Sequence, residues 1–147
     1  MTIISGPDVK KGTVDDIGSQ TDIFKTFLSL ANIKSKFSSI DSFDLSETIR
    51  KGKPSKRKFI PYFVGSELRA FRYKDHKIHF ITQGAYNMPP PRELHEKPLL
   101  YNLSKDIGES QDISEIDNKT LEIIIKESEL FKKDLIIRKS IVDVQFQ

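Results

Sequence analysis

Residues 59–82 read Phe-Ile-Pro-Tyr-Phe-Val-Gly-Ser-Glu-Leu-Arg-Ala-Phe-Arg-Tyr-Lys-Asp-His-Lys-Ile-His-Phe-Ile-Thr, and they decide the fold. Three short runs in it, Phe59–Val64, Leu68–Tyr73 and Ile78–Thr82, are rich in aromatic and β-branched residues. Gly65-Ser66-Glu67 and Lys74-Asp75-His76-Lys77 separate them at hairpin lengths, so the stretch predicts an antiparallel meander. In the middle run Leu68, Ala70 and Arg72 share one face, and Arg69, Phe71 and Tyr73 share the other. Downstream, Leu99–Leu103 alternates in the same way and is a fourth strand candidate. Between the third and fourth strands, residues 83–98 hold Gly84, Pro89-Pro90-Pro91 and Pro98, which argue against helix or ladder pairing. An irregular loop of that length inside a compact domain carries function or is disordered.

Helices flank the meander. Upstream, Phe24, Phe27, Leu28 and Ala31 fall at i, i+3, i+4 and i+7, which predicts a helix over 19–32 with one apolar face. Ser19 followed by Asp22 resembles a capping box, with Thr21 as the alternative cap. Ahead of it, Ile3-Ile4 running into Gly6-Pro7 reads as the end of a short strand. Residues 34–58 read as a polar loop. Downstream, Leu121, Ile124, Ile125, Ser128, Phe131 and Leu135 predict a second helix, capped by Asp117 or Asn118. In the tail, Val142, Val144 and Phe146 alternate with Asp143 and Gln145, as a strand or a frayed end would. The fold class is α+β.

Composition narrows the function. The 147 residues are 37% apolar and 31% charged, with ten Phe and four Tyr, enough for the core of one domain. No apolar run approaches the roughly 18 residues of a membrane-spanning helix. The net charge of +3 does not single out nucleic acid as a partner. Arg50 to Lys58 carries six basic residues in nine and no acid. It reads as a phosphate-contacting patch or as a solvated loop; Gly52, Pro54 and the lack of interleaved aromatics favour the loop. There is no Cys, hence no disulfide, thiolate ligand or Cys nucleophile in these residues. Residues 1–7 lack the basic segment and apolar run of an export signal, which fits a cytoplasmic chain or a start elsewhere.

The residues alone assemble no catalytic machinery. His76, His79 and His95 lack metal-binding spacing, and Asp15, Asp16, Asp41, Asp44 and Asp106 do not fall in a calcium-loop pattern. No phosphate-binding glycine loop or nucleophile elbow is present. His79 has two readings: a partly buried strand residue bonded to a neighbouring carbonyl, or a polar group pointing into a pocket at a strand end.

Taken in order, Ile3 to Pro7, Lys11 to Thr13, Ile17 to Leu28, Ser39 to Ser46, Glu67 to Gln83 and Glu96 to Glu109 resemble the sulfatase family. Ile3-Ile4-Ser5-Gly6-Pro7, Lys11-Gly12-Thr13 and Ser19 to Leu28 match the segment that enters its last core helix. Ser39-Ile40-Asp41-Ser42-Phe43-Asp44-Leu45-Ser46 matches the following Asp-Leu-Ser motif. Glu67 to Gln83, ending His79-Phe80-Ile81-Thr82-Gln83, resembles the arylsulfatase A-like branch. Glu96 to Glu109, with Leu99-Leu100-Tyr101-Asn102-Leu103 and Asp106-Ile107-Gly108-Glu109, completes the pattern over residues 3 to about 112. The family hydrolyses sulfate esters with a formylglycine nucleophile and calcium.

The resemblance implies the C-terminal portion of such an enzyme. Residues 1–35 would be a strand and helix of the alkaline-phosphatase-like α/β core, and 36–58 a basic linker loop. Residues 59–135 would form an antiparallel sheet of about four strands with a packed C-terminal helix, and 136–147 a divergent tail. The chain departs from the family at the nucleophile: it has no Cys, and Ser5-Gly6-Pro7-Asp8-Val9 has Val9 where the motif needs Arg. Formylglycine and calcium are therefore expected outside this chain, which would carry no cofactor and no catalytic residue. His79, Thr82, Gln83 and Asn87 are implied as substrate-binding residues at a cleft. A sulfate ester is the implied substrate, in a parent enzyme of the exported kind. The core-facing side of the 19–32 helix should be an exposed apolar surface, open to association. The other reading is a free-standing module that grips sulfated or phosphorylated ligands through residues 50–58.

Overall fold

The computed structural model describes residues 2–34 and 41–136, apart from the Asn87 side chain. The chain divides into two compact units, Met1–Ile60 and Pro61–Gln147, with the boundary inside the first strand. The expected tail pattern at Val142, Val144 and Phe146 lies outside the described residues, as do Ser39 and Ile40 of the Asp-Leu-Ser motif.

The meander forms as read. Strands β1 (Phe59–Val64), β2 (Glu67–Tyr73), β3 (His76–Thr82) and β4 (Glu93–Asn102) make one sheet in the order β1-β2-β3-β4. Gly65 (φ 60°) and Lys74 (φ 52°) take the left-handed conformation that tight hairpin turns need. Antiparallel pairing sets Phe71 opposite Ile78 and Ile78 opposite Leu100. These three fully buried side chains form a row across the sheet. Helix α3 (Asn118–Asp134) buries Leu121, Ile124 and Ser128, and its Phe131 ring lies 5.8 Å from Phe71 and 6.2 Å from Phe63. The period-3.6 stripe read from the sequence is therefore the face that meets the sheet. Asp117 caps α3 by accepting the Thr120 N–H at 3.1 Å. Asp117→Ala removes this cap and should lower the midpoint of denaturant unfolding.

The fourth strand is longer than expected. It begins at Glu93, so the irregular loop spans 83–92, not 83–98. Pro98 is accommodated because the register jumps there: His79 faces Leu99, but Ile81 faces Leu94. Within such a bulge the missing proline N–H breaks no ladder bond. The outer edge of β4 is covered at Leu100, whose N–H goes to Asp112 (2.9 Å) and whose carbonyl accepts from Ile113 (2.8 Å). That return segment brings the 106–111 turn back to the sheet.

In the first unit, α1 (Asp22–Leu30) occupies the predicted helix. The Asp22 carboxylate accepts the Ser19 N–H at 2.9 Å, half of a capping box. Phe24 and Phe27 are 44% and 60% exposed. Two expectations fail here. Residues 3–4 form no strand, since a strand needs a ladder partner and none adjoins them among the described residues. The supposed loop 36–58 contains a helix, α2 (Ser46–Lys51), entered where Asp44 accepts the Ser46 N–H and closed by Gly52 at φ 66°. Its six residues were too few to show a period.

Candidate functional site

Strand alternation puts Ala70, His79 and Leu99 in one cross-strand row, and Arg72, Lys77 and Tyr101 in the next, on the face turned away from α3. Here the 106–111 turn delivers Glu109, itself at φ 54°. One carboxylate oxygen takes the Lys77 Nζ at 2.6 Å, and the other takes the His79 Nε2 at 2.6 Å. The Tyr101 ring stands edge-on to His79 at 5.6 Å, and Lys77 also lies 4.7 Å from the Tyr62 ring centroid. Burial, then the charge of Lys77, holds the His79 ring below the ordinary histidine value, although Glu109 pulls the other way. Burial alone would raise the Glu109 carboxyl, but its bond to Lys77 and the charge of Lys77 outweigh this and hold it low. The surroundings thus favour the neutral imidazole at His79 and the carboxylate at Glu109.

The remaining implied residues sit at the β3 end. Thr82 shares a 2.8 Å hydrogen bond with the His95 Nε2. Gln83 accepts from Arg69 at 3.1 Å, and Arg69 and Arg92 both pair with Glu67 at 2.7 Å. His79 is therefore brought together with Lys77 and Glu109, and Thr82 with His95, while Gln83 joins an arginine-bearing network. Asn87 lies in a 3-10 turn, Ala85–Asn87, and its side chain is outside the described residues. That turn is pinned by the Gly84 N–H donating to the Pro90 carbonyl at 2.8 Å. A Cβ on Gly84 would collide with the Met88 carbonyl oxygen. Gly84→Ala should open the loop at a cost of about 1–3 kcal/mol, seen as lost exchange protection of the Gly84 amide. Tyr86, at φ 53° and 97% exposed, is carried at the tip.

Residues 55–145 match the family model described as the C-terminal region of aryl-sulfatase. The chain belongs to this family. It is 28% identical to human arylsulfatase A over 145 aligned residues, covering 86% of this chain and 29% of that protein. Against arylsulfatase A of Bos taurus the identity is 28% over 142 residues, covering 84% and 28%. The chain thus spans under a third of the length of these curated relatives. Among solved structures, the PsFucS1 sulfatase from Pseudoalteromonas sp. superposes with a TM-score of 0.64 at 20% identity, covering 76% of this chain and 25% of that one. A protein from glycosaminoglycan metabolism of Bacteroides thetaiotaomicron gives 0.59, also at 20% identity, covering 76% and 24%. Those structures share the fold. The four-stranded sheet with its C-terminal helix is the sulfatase C-terminal subdomain.

Within this sulfatase region the sequence reading missed Glu109. It stood in the Asp-Ile-Gly-Glu turn as a turn residue, and nothing local says that its carboxylate reaches back thirty positions to β3. The signal available was Gly108 with Asp106, whose carboxylate accepts the Ser110 and Gln111 N–H groups and shapes the turn. The basic stretch also needs correcting. Arg57 is neither patch nor solvated loop: it is buried, bound through two nitrogens to Asp22 at 2.6 and 2.7 Å. Lys51 and Lys53 pair with Glu47 at 3.0 Å, and Arg50 reaches the Leu30 carbonyl. No group of three His, Cys, Asp or Glu among the described residues could hold a metal. One oxygen of Asp16 accepts the Ser55 N–H at 3.0 Å. These residues do not fit calcium, and without Cys or Ser-x-Pro-x-Arg they do not fit a formylglycine precursor.

Proposed function

We propose that this chain is the C-terminal portion of an arylsulfatase-like sulfuric ester hydrolase, that it contributes to the substrate entrance, and that it has no hydrolytic activity alone. The observation that carries the reading is the family match over residues 55–145 in a chain without Cys. The nucleophile and calcium would then come from an N-terminal α/β domain outside these residues. His79, Thr82, Gln83 and Asn87 would contact the sulfate ester, His79 through its ring and not as general base. Support for placing His79 there is its environment: a half-buried imidazole on the sheet face opposite α3, held by Glu109 of the 106–111 turn. The reading as a free-standing anion-binding module has less behind it, because Arg50, Lys51, Lys53 and Arg57 are already engaged by groups of this chain.

The test has two parts. The 147-residue chain, incubated with a chromogenic aryl sulfate, should release no product above buffer. In the sulfatase that contains this chain, His79→Ala should raise KM about tenfold, the effect of losing roughly 1.4 kcal/mol of substrate contact. Turnover by the isolated chain would overturn the reading of inactivity, and an unchanged KM would overturn the role of His79.

A further inference from the structure

We propose that Glu109, anchored by Lys77, is a positioning residue that fixes His79 as an Nε2–H tautomer, leaving Nδ1 to accept a hydrogen bond from a hydroxyl on the alcohol part of the substrate. This rests on the reading of His79 as a substrate contact and names the group it would take.

The geometry sets the tautomer. A carboxylate only accepts, so the 2.6 Å contact to Glu109 requires a hydrogen on Nε2. A second proton on Nδ1 is needed only if the carboxylate lacks another cation. Glu109 has one: its other oxygen holds the Lys77 ammonium at 2.6 Å. The carboxylate is thereby neutralised by a permanent charge and gives His79 little reason to protonate. The other groups facing the ring agree. Tyr101 from β4 stands perpendicular to the ring and brings no charge, and His95, also on β4, adds only repulsion to a charged imidazole. A paired carboxylate and imidazole without the lysine would favour imidazolium, which attracts the sulfate anion. With the lysine, the ring is a neutral acceptor with one free lone pair. Such a lone pair repels a sulfate oxygen and takes a donor; the ionised sulfate has none, so the donor must come from the alcohol moiety, whose commonest donor is a hydroxyl.

Ring-nitrogen NMR of the 15N-labelled full chain tests this. At pH 7.5, His79 should show a protonated Nε2 and an unprotonated Nδ1. Lys77→Met should raise the midpoint of His79 titration, and Glu109→Gln, which keeps the fold's shape, should lower it. In Glu109→Gln the Nε2–H preference should be lost, because the amide can donate as well as accept, whereas a purely structural role leaves the tautomer unchanged. Inorganic sulfate, added at pH 7.5, should leave the ring neutral. An Nδ1–H tautomer, shifts of the same sign in both variants, or protonation of His79 by sulfate would overturn the proposal. These readouts need no turnover, so they stand or fall apart from the KM test of His79→Ala.

Discussion

Replacing Arg57 by alanine is expected to unfold the Met1–Ile60 unit at temperatures where the parent chain is intact. Arg57 and Asp22 are among the most buried charged side chains described, with side-chain exposures of 5% and 1%. The guanidinium grips the carboxylate through Nε at 2.7 Å and Nη2 at 2.6 Å. It also donates to the Asp41 carbonyl, the Phe59 carbonyl and the Thr21 hydroxyl, and lies 4.6 Å from the Phe43 ring centroid. Asp22 in turn accepts the N–H groups of Ser19 and Phe43. One ion pair therefore ties α1 to residues 41–43 and to the start of β1. Removing one partner strands a buried charge, and the expected loss is about 3–5 kcal/mol. Amide exchange of α1, compared between Arg57→Ala and the parent chain, measures it. The double variant Arg57→Met with Asp22→Leu, which leaves no orphan charge, should be less destabilised than Arg57→Ala. A double variant equal to or worse than the single one would contradict the pair's role.

The same pair fixes an acid limit. Burial would raise the Asp22 carboxyl, but the Arg57, Phe43 and Ser19 hydrogen bonds outweigh it and hold it below the ordinary value. A carboxyl depressed in the folded state contributes stability that is complete above the unfolded value of about 3.9 and lost as pH falls through the folded value. The unit should keep this contribution at pH 5 and lose it progressively below the unfolded value.

The second large effect belongs to the sheet. Phe71 is wholly buried, opposite Ile78 and tilted against Phe131. Phe71→Ala removes the ring that joins β2 to α3, and the surrounding strands cannot collapse into the space. A loss of about 3–5 kcal/mol is expected, measured as a drop in the thermal midpoint of the Pro61–Gln147 unit. Phe71→Leu, which keeps most of the volume, should cost clearly less.

Phe71 also shows what the sequence made legible. Period-two alternation and the hairpin breakers Gly65 and Lys74-Asp75 identify β2 and β3 within a residue or two, because each run carries its own pattern. The stripe Leu121, Ile124, Ser128 does the same for α3. What stayed hidden depends on partners distant in sequence. Arg57 looked like one of six surface cations because its partner Asp22 lies 35 residues away. Pro98 looked like a loop residue because a bulge is defined only against the neighbouring strand. At the candidate site, His79 could be named from its strand and motif. Lys77 and Glu109 could not, since their meeting depends on the path of the turn after β4.

Reading the DNA upstream of the Met1 codon tests the central proposal most directly. An open frame is predicted to continue there and to encode an N-terminal α/β domain that carries the Cys/Ser-x-Pro-x-Arg motif of the nucleophile. A stop codon just upstream, with a ribosome-binding site directly ahead of Met1, would contradict it.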